Sequence, residues 1–251
     1  MSDREVLLEV TSDHLNTGLR GVPVGTCRTS FVTPTEGVHY CGYPIAELAT
    51  FAPEDIIYLL FNKELPTPEQ SEEIRAELAA RATIPGDVES VLKTLPRDGH
   101  PMDWLSVGIH TLGMLETTND WRADAMNLIA RMPRLMGLIF RIRDDRADGI
   151  PADDPHATLV DRFVNALDLK GVDKEKMTRV ISTYLVLHMD HGGGNLSTFS
   201  GKAIASGHAT VYSSMAGAMN ALSGPLHGRA NQSCLEFVLR VGTSDPAEVE
   251  R

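Results

Sequence analysis

From Pro53 onward the sequence is punctuated almost entirely by residues that open and close helices, and this limits the fold more than any other feature. Proline has no N–H to lose in a first helical turn and its φ is already helical, so it favours that position and disrupts the interior. Pro53-Glu54-Asp55 therefore opens a short helix through residue 61. Thr67-Pro68-Glu69-Gln70 is a capping box, in which the Thr hydroxyl takes the amide three residues on and the Gln side chain reaches back; Ile74 and Leu78 then repeat at helical spacing. Residues 88–95 form a further short helix, and Pro101 begins another through 115. Residues 123–143 carry a long helical pattern with Pro133 inside it, where a kink or a new helix is expected. Residues 144–155 hold five aspartates, two prolines and a glycine, which predicts a polar loop. Asp173 caps a helix with an apolar face of Met177, Ile181, Tyr184 and Leu185; it runs into His188 and stops at Gly192-Gly193-Gly194.

Only the first fifty residues read as strand. Segments 26–32 and 38–43 are rich in β-branched and aromatic residues, with Pro34, Glu36 and Gly37 as a turn between them. The expected fold is all-α and multi-helical, with a small N-terminal β-hairpin. Residues 1–50 would form the hairpin-bearing start of a large domain and 51–240 its helical body. No internal repeat or low-complexity tract is found.

Of the 251 residues, 42% are hydrophobic and 23% charged, ordinary values for a globular chain with a sizeable core. A net charge of −11 argues against nucleic acid or an anionic membrane as partner, since both require basic surfaces. It leaves room for an anionic metabolite, because a few arginines can focus potential in one cleft. The start lacks a basic segment followed by an apolar one, so no secretory signal is expected, and apolar runs such as 56–61 are too short to span a bilayer. Cys27, Cys41 and Cys234 have no metal-ligand spacing. They fit a reducing cytoplasm and are expected to be small, buried or semi-buried hydrophobes.

Chemistry concentrates in two clusters. His-Met-Asp-His-Gly-Gly-Gly-Asn spans 188–195, and Gly-Pro-Leu-His-Gly-Arg-Ala-Asn spans 224–231. Each sets imidazole beside a glycine break, where a side chain can be offered to a ligand. The run between them, rich in Ala, Gly and Ser, reads as one tightly packed helix, so the clusters imply a shared pocket. Its small residues at 213–221 fit either an interface helix or an intramolecular core helix. His188 and His191, with Asp190 between, could bind zinc, but no third ligand is specified and a hydrogen-bonding role is expected instead. Leu226-His227-Gly228 is expected to open a helix. There the dipole would favour a neutral imidazole able to donate to an oxygen that gains charge.

Together the clusters resemble the citrate synthase signature, H-x-D-H-x-x-x-N followed by G-P-L-H-G-x-A-N. Gly18-Leu19-Arg20-Gly21, Tyr40-x-Gly42-Tyr43-x-Ile45, Leu65-Pro66-Thr67, His100-Pro101-Met102 and Met132-Pro133 also fall in that family's order. The resemblance implies an all-α homodimer with a large domain and a smaller one that closes over the active site. It implies a Claisen-type condensation of acetyl-CoA with oxaloacetate, with acetyl-CoA as co-substrate and no tightly bound cofactor or metal. It assigns His227 as the catalytic, enol-stabilising histidine and His191 as the histidine bonded to oxaloacetate. Asn195 would be a polar support beside it, Ser197 would orient the catalytic imidazole, and His188 would join the supporting network. Gly224 and Gly228 would let backbone approach the ligand. The family's second catalytic histidine, its aspartate base and its carboxylate-binding arginines match nothing in these 251 residues. Asp245-Pro246-Ala247-Glu248 looks like a helix start, so 241–251 is expected to begin the small domain and the sequence to be interrupted there, leaving this chain inactive alone. Two other readings are 2-methylcitrate synthase, using propionyl-CoA, and a naturally short, non-catalytic homologue that dimerises or binds a ligand.

Overall fold

In the computed structural model, described residues are 5–16, 22–23, 25–118, 120–146, 150–151, 154, 156–192 and 194–242. Near the N-terminus, Gly37 (φ 80°), Cys41 (φ 50°) and Gly42 (φ 94°) turn the chain back on itself twice. Three short antiparallel strands result, in the order β1 (Ser30–Thr33), β2 (Gly37–Tyr40) and β3 (Tyr43–Pro44). Ser30 pairs with Tyr40 and Thr33 with Gly37, and Tyr40 pairs in turn with Tyr43. The strands are shorter than the composition predicts, because the left-handed turn at Cys41 and Gly42 removes β2 as a partner beyond Tyr40. One further bond, from the Cys41 amide to the Thr29 carbonyl (2.7 Å), closes that end.

Eleven helices follow among the described residues: α1 (Ile45–Leu48), α2 (Pro53–Asn62), α3 (Pro68–Arg81), α4 (Gly86–Lys93), α5 (Pro101–Glu116), α6 (Trp121–Arg143), α7 (Leu159–Leu167), α8 (Lys174–His188), α9 (Leu196–Ala205), α10 (Val211–Leu222) and α11 (Ala230–Val241). The fold is all-α with a small sheet, as expected. Pro53, Pro68 and Pro101 each occupy the first turn of their helix. Both halves of the Thr67–Gln70 capping box form, and the Asp173 side chain accepts the Lys176 amide at 3.0 Å.

Three features differ from the sequence reading. α6 runs unbroken through Pro133, which is buried, so no new helix begins there. α7 was not anticipated, although Thr158 and Asp161 cap it reciprocally and Leu159, Val160, Phe163, Val164 and Leu167 repeat at helical spacing. The run between the histidine clusters is two helices, not one: α9 and α10 fold back on each other through residues 206–210, where His208 adopts φ 59°. Gly217 lets them meet, since a side chain there would collide with Ile204, and a Cβ at Gly201 would lie 3.3 Å from the Ser214 carbonyl. Ala216 and Ala218 are buried, and Ser106 of α5 reaches the Ala216 carbonyl at 3.4 Å. The small residues of α10 thus serve packing within the chain.

The main core joins α4, α5, α6 and α10 through Leu92, Trp104, Ile109, Leu135, Ile139 and Tyr212, among others. A second cluster places Tyr40 of β2 against Leu48, Ile56, Leu59 and Val186, and so fastens the last turns of α8 to the hairpin. Tyr184 of the expected α8 face is instead half exposed (52%). α11 buries none of its residues, and Gln232 links it to His100 at 3.1 Å. No described helix is long and apolar enough to cross a membrane. The expected start at 245–248, the 18–21 stretch, Gly193 and part of the 144–155 loop lie outside the described residues.

Candidate functional site

The site begins where α8 ends. Val186 is fully buried with Tyr40, so the chain leaves the helix against the hairpin. Asp190 then makes three bonds. Its amide donates to the Tyr40 Oη at 3.2 Å, its Oδ1 accepts the Gly192 amide at 2.8 Å, and its Oδ2 accepts the Thr29 hydroxyl. The Gly192 bond closes a turn two residues long, and the φ of 80° at Gly192 suits glycine. Asn195 caps α9, its Oδ1 accepting the Thr198 amide at 2.8 Å, while its Nδ2 approaches the Gly192 carbonyl at 3.4 Å.

The second cluster meets the first at Ser197. His227 Nε2 lies 3.2 Å from Ser197 Oγ, which lies 2.7 Å from Asn195 Oδ1. Gly192, Asn195, Ser197 and His227 thus form one continuous polar chain across thirty-odd residues of sequence. Asn195 Oδ1 is acceptor-only, so a Ser197 proton directed at it obliges Nε2–H of His227 to donate to Ser197. If the hydroxyl turns to Nε2 instead, the ring proton sits on Nδ1. Ser197 also lines an open, mainly apolar cleft of about 380 Å³ between α9 and α10, whose walls include Gly201, Met215 and Leu222.

The structure brings His227, Ser197 and Asn195 together and leaves the other two imidazoles outside the chain. His188 is exposed and turned back on its own helix, stacked on Tyr184 at 4.1 Å with Nδ1 2.8 Å from the Tyr184 carbonyl. A carbonyl only accepts, so His188 carries a proton on Nδ1. His191 projects from the loop and is exposed. His227 lies in a series of turns, its amide bonded to the Gly224 carbonyl at 3.0 Å, and α11 begins only at Ala230. It therefore stands one turn ahead of the helix end that the sequence placed there, where the dipole has largely fallen away. Gly228 has a packing reason of its own: a Cβ there would sit 2.6 Å from the Leu222 carbonyl, whereas one at Gly224 would meet its neighbour at 3.4 Å.

Sequence reasoning missed Asp190, Thr29 and Tyr40 as parts of the site. Two signals were present: Asp190 lies between two histidines, and Tyr40 opens a motif that falls in the family's order. The cysteine expectation holds for Cys41, which is half-buried, and needs correction for Cys27 and Cys234, which are exposed. Partial burial raises the Cys27 thiol, but hydrogen bonds from Thr29 and Ser30 together outweigh it and bring it down to about 7. Burial raises the Tyr40 phenol and the Cys41 thiol, and the charge on Asp190 adds to both.

Comparison with known proteins agrees along most of the chain. The family profile described as "Citrate synthase, C-terminal domain" matches residues 18–251. The chain is 31% identical over 256 residues to citrate synthase 4, mitochondrial, of Arabidopsis thaliana, and equally to the mitochondrial citrate synthase of Daucus carota. Each alignment covers 92% of this chain and 53% of the relative, so the chain spans about half the length of the curated relatives it matches. Among solved structures, citrate synthase from Thermotoga maritima superposes with a TM-score of 0.79 at 26% identity, covering 90% of this chain and 60% of that one. Citrate synthase from Thermoplasma acidophilum, solved with carboxymethyl coenzyme A and oxaloacetate, superposes at 0.83 with 24% identity; it covers 97% of this chain and 63% of that one, and supports the fold.

Proposed function

The chain belongs to the citrate synthase family, and from that premise we propose that the protein it represents condenses acetyl-CoA with oxaloacetate to citrate and CoA. One observation carries the reading: His227 is joined to the H-x-D-H loop through Ser197 and Asn195. A weak carbon acid is activated only if the enol oxygen formed from it meets a donor already in place. In the proposed mechanism neutral His227 is that donor, through Nδ1, which requires Ser197 to give its proton to Nε2. Ser197 then turns its proton away from Asn195 Oδ1, and Asn195 remains a polar support that caps α9 and closes the loop beside it. His191, exposed on that loop, donates to the oxaloacetate ketone, and His188 stays in support.

The aspartate base, the second catalytic histidine and the carboxylate-binding arginines that the family resemblance calls for are not among these 251 residues. We therefore propose that this chain alone does not catalyse condensation and binds oxaloacetate weakly, as part of a homodimer with no tightly held cofactor. The three free thiols fit a reducing compartment, proposed to be the cytoplasm.

The test is His227→Ala in a polypeptide extended to the relatives' full length. Condensation should fall at least a hundredfold, a typical loss for one oxyanion donor, with circular dichroism and oligomeric size unchanged. An unfolded variant would make His227 a structural residue, and an active one would remove it from the mechanism. Offering propionyl-CoA beside acetyl-CoA in the same assay identifies the acyl group; faster turnover of propionyl-CoA would replace citrate by 2-methylcitrate as the product.

A further inference from the structure

The loop that presents His191 contains Gly192, Gly193 and Gly194, and glycine gives up more backbone freedom on ordering than any other residue. On the reading proposed above, its ring must nevertheless hold one position against a small ketone, to within about half an ångström for a site of this kind. A loop of this composition cannot supply that order by itself. The hydrogen bonds identify what does.

Asp190 commits its amide and both carboxylate oxygens. One oxygen ties the loop to itself at Gly192, the other receives the Thr29 hydroxyl, and the amide donates to Tyr40. Neither hairpin partner is loose. Tyr40 is fully buried against Leu48, Ile56, Leu59 and Val186, and the Thr29 carbonyl is held by the Cys41 amide. A metal-ligand role fits Asp190 less well: His188 is turned back on Tyr184, and the described residues hold no group of three ligating side chains.

We infer that Asp190 is a positioning residue that clamps the glycine loop to the β-hairpin and so fixes where His191 is presented. This rests on the proposed role of His191 in holding the keto acid. The hairpin then acts in the site without touching substrate. The clamp also answers an electrostatic problem, since a bare carboxylate next to a dianion would repel it. Two donors on the carboxylate spread that charge.

The test uses nuclear magnetic resonance on this chain. Thr29→Val keeps the shape and removes the hydroxyl, and Thr29→Ser restores it. With Thr29→Val, protection of the Gly192 amide from exchange should fall about tenfold or more, as expected for losing a hydrogen bond to a charged group. His191 ring resonances should shift, while the amides of Ile109 and Leu135 in the main core keep their protection. Thr29→Ser should recover the wild-type pattern, and Tyr40→Phe should loosen Gly192 in the same direction. Unchanged Gly192 and His191 signals in Thr29→Val would overturn the clamp, as would an even loss of protection that includes Ile109 and Leu135, or failure of Thr29→Ser to rescue. Oxaloacetate at millimolar concentration, added to a polypeptide extended to the relatives' full length, separates this from the reading beneath it. A His191 shift in the wild type that Thr29→Val weakens supports both. No His191 response, with the Thr29→Val effects intact, removes the keto-acid role and upholds the clamp.

Discussion

Gly228 offers the sharpest test of why this segment is built as it is. An alanine there would place its Cβ 2.6 Å from the Leu222 carbonyl and 2.7 Å from two of that residue's side-chain carbons. The side chain can rotate away; the carbonyl cannot, because it already receives the Gly228 amide at 3.0 Å. Relief must come from moving the turn that carries His227. Overpacking of this kind costs about 1–3 kcal/mol, and about 2 kcal/mol is a fair centre because a rigid atom is involved. At about 2–4 °C per kcal/mol for a chain of this size, Gly228→Ala should melt about 4–8 °C below the wild type. Gly224→Ala is the control: its Cβ would meet the Ala221 carbonyl at 3.4 Å, with no positive φ to relieve. It should stay within about 0.5 kcal/mol of the wild type, as for substitutions that disturb no special feature. Differential scanning calorimetry of both reads the stability. The ring ¹⁵N shifts of His227 report whether its bond to Ser197 survives. Equal melting of the two variants, or the reverse order, would refute the packing argument and return both glycines to ligand approach.

Further outcomes follow from the same geometry. Gly137→Ala would drive a methyl group into Ala166 and its backbone; separating α6 from α7 should cost at least about 1–3 kcal/mol in urea unfolding. Thr67→Ala removes a capping box and should cost about 1 kcal/mol by the same measurement. The Cys27 thiol is lowered to about 7, so its thiolate fraction rises through neutral pH. Its alkylation rate by iodoacetamide should increase with a midpoint near pH 7, and Cys41, which burial raises, should lag behind it. A midpoint for Cys27 at an ordinary thiol value would mean that Thr29 and Ser30 do not bond it in solution.

Much of the fold could be read from local signals because local chemistry decides them. A proline in a first turn or a Thr–Gln capping box acts within four residues, so α2, α3 and α5 begin where the sequence placed them. Thr158 and Asp161 carried the same kind of signal for α7, overlooked beside an aspartate-rich loop. The α9–α10 turn was harder, since small residues allow a close crossing as readily as one continuous helix and only the packing of Gly217 on Ile204 decides between them. Strand ends were misjudged because composition does not report the left-handed turn at Cys41. In the site, the family resemblance nominated His227, Ser197 and Asn195, and the structure brings the three together. The clamp on Asp190 was invisible, since its partners lie on a hairpin with no spacing relation to the loop.

The bond between Thr29 and Asp190 joins residues 161 positions apart. On a ribosome, Asp190 emerges 161 residues after Thr29, so the hairpin waits for its polar partner while helices such as α2 and α3 can pair with neighbours already made. Assembly of the histidine loop is therefore expected late, once α8 lies alongside the hairpin. Until then nothing ties His191 to the hairpin, and a partly synthesised or partly unfolded chain would hold most of its helices without an ordered histidine loop.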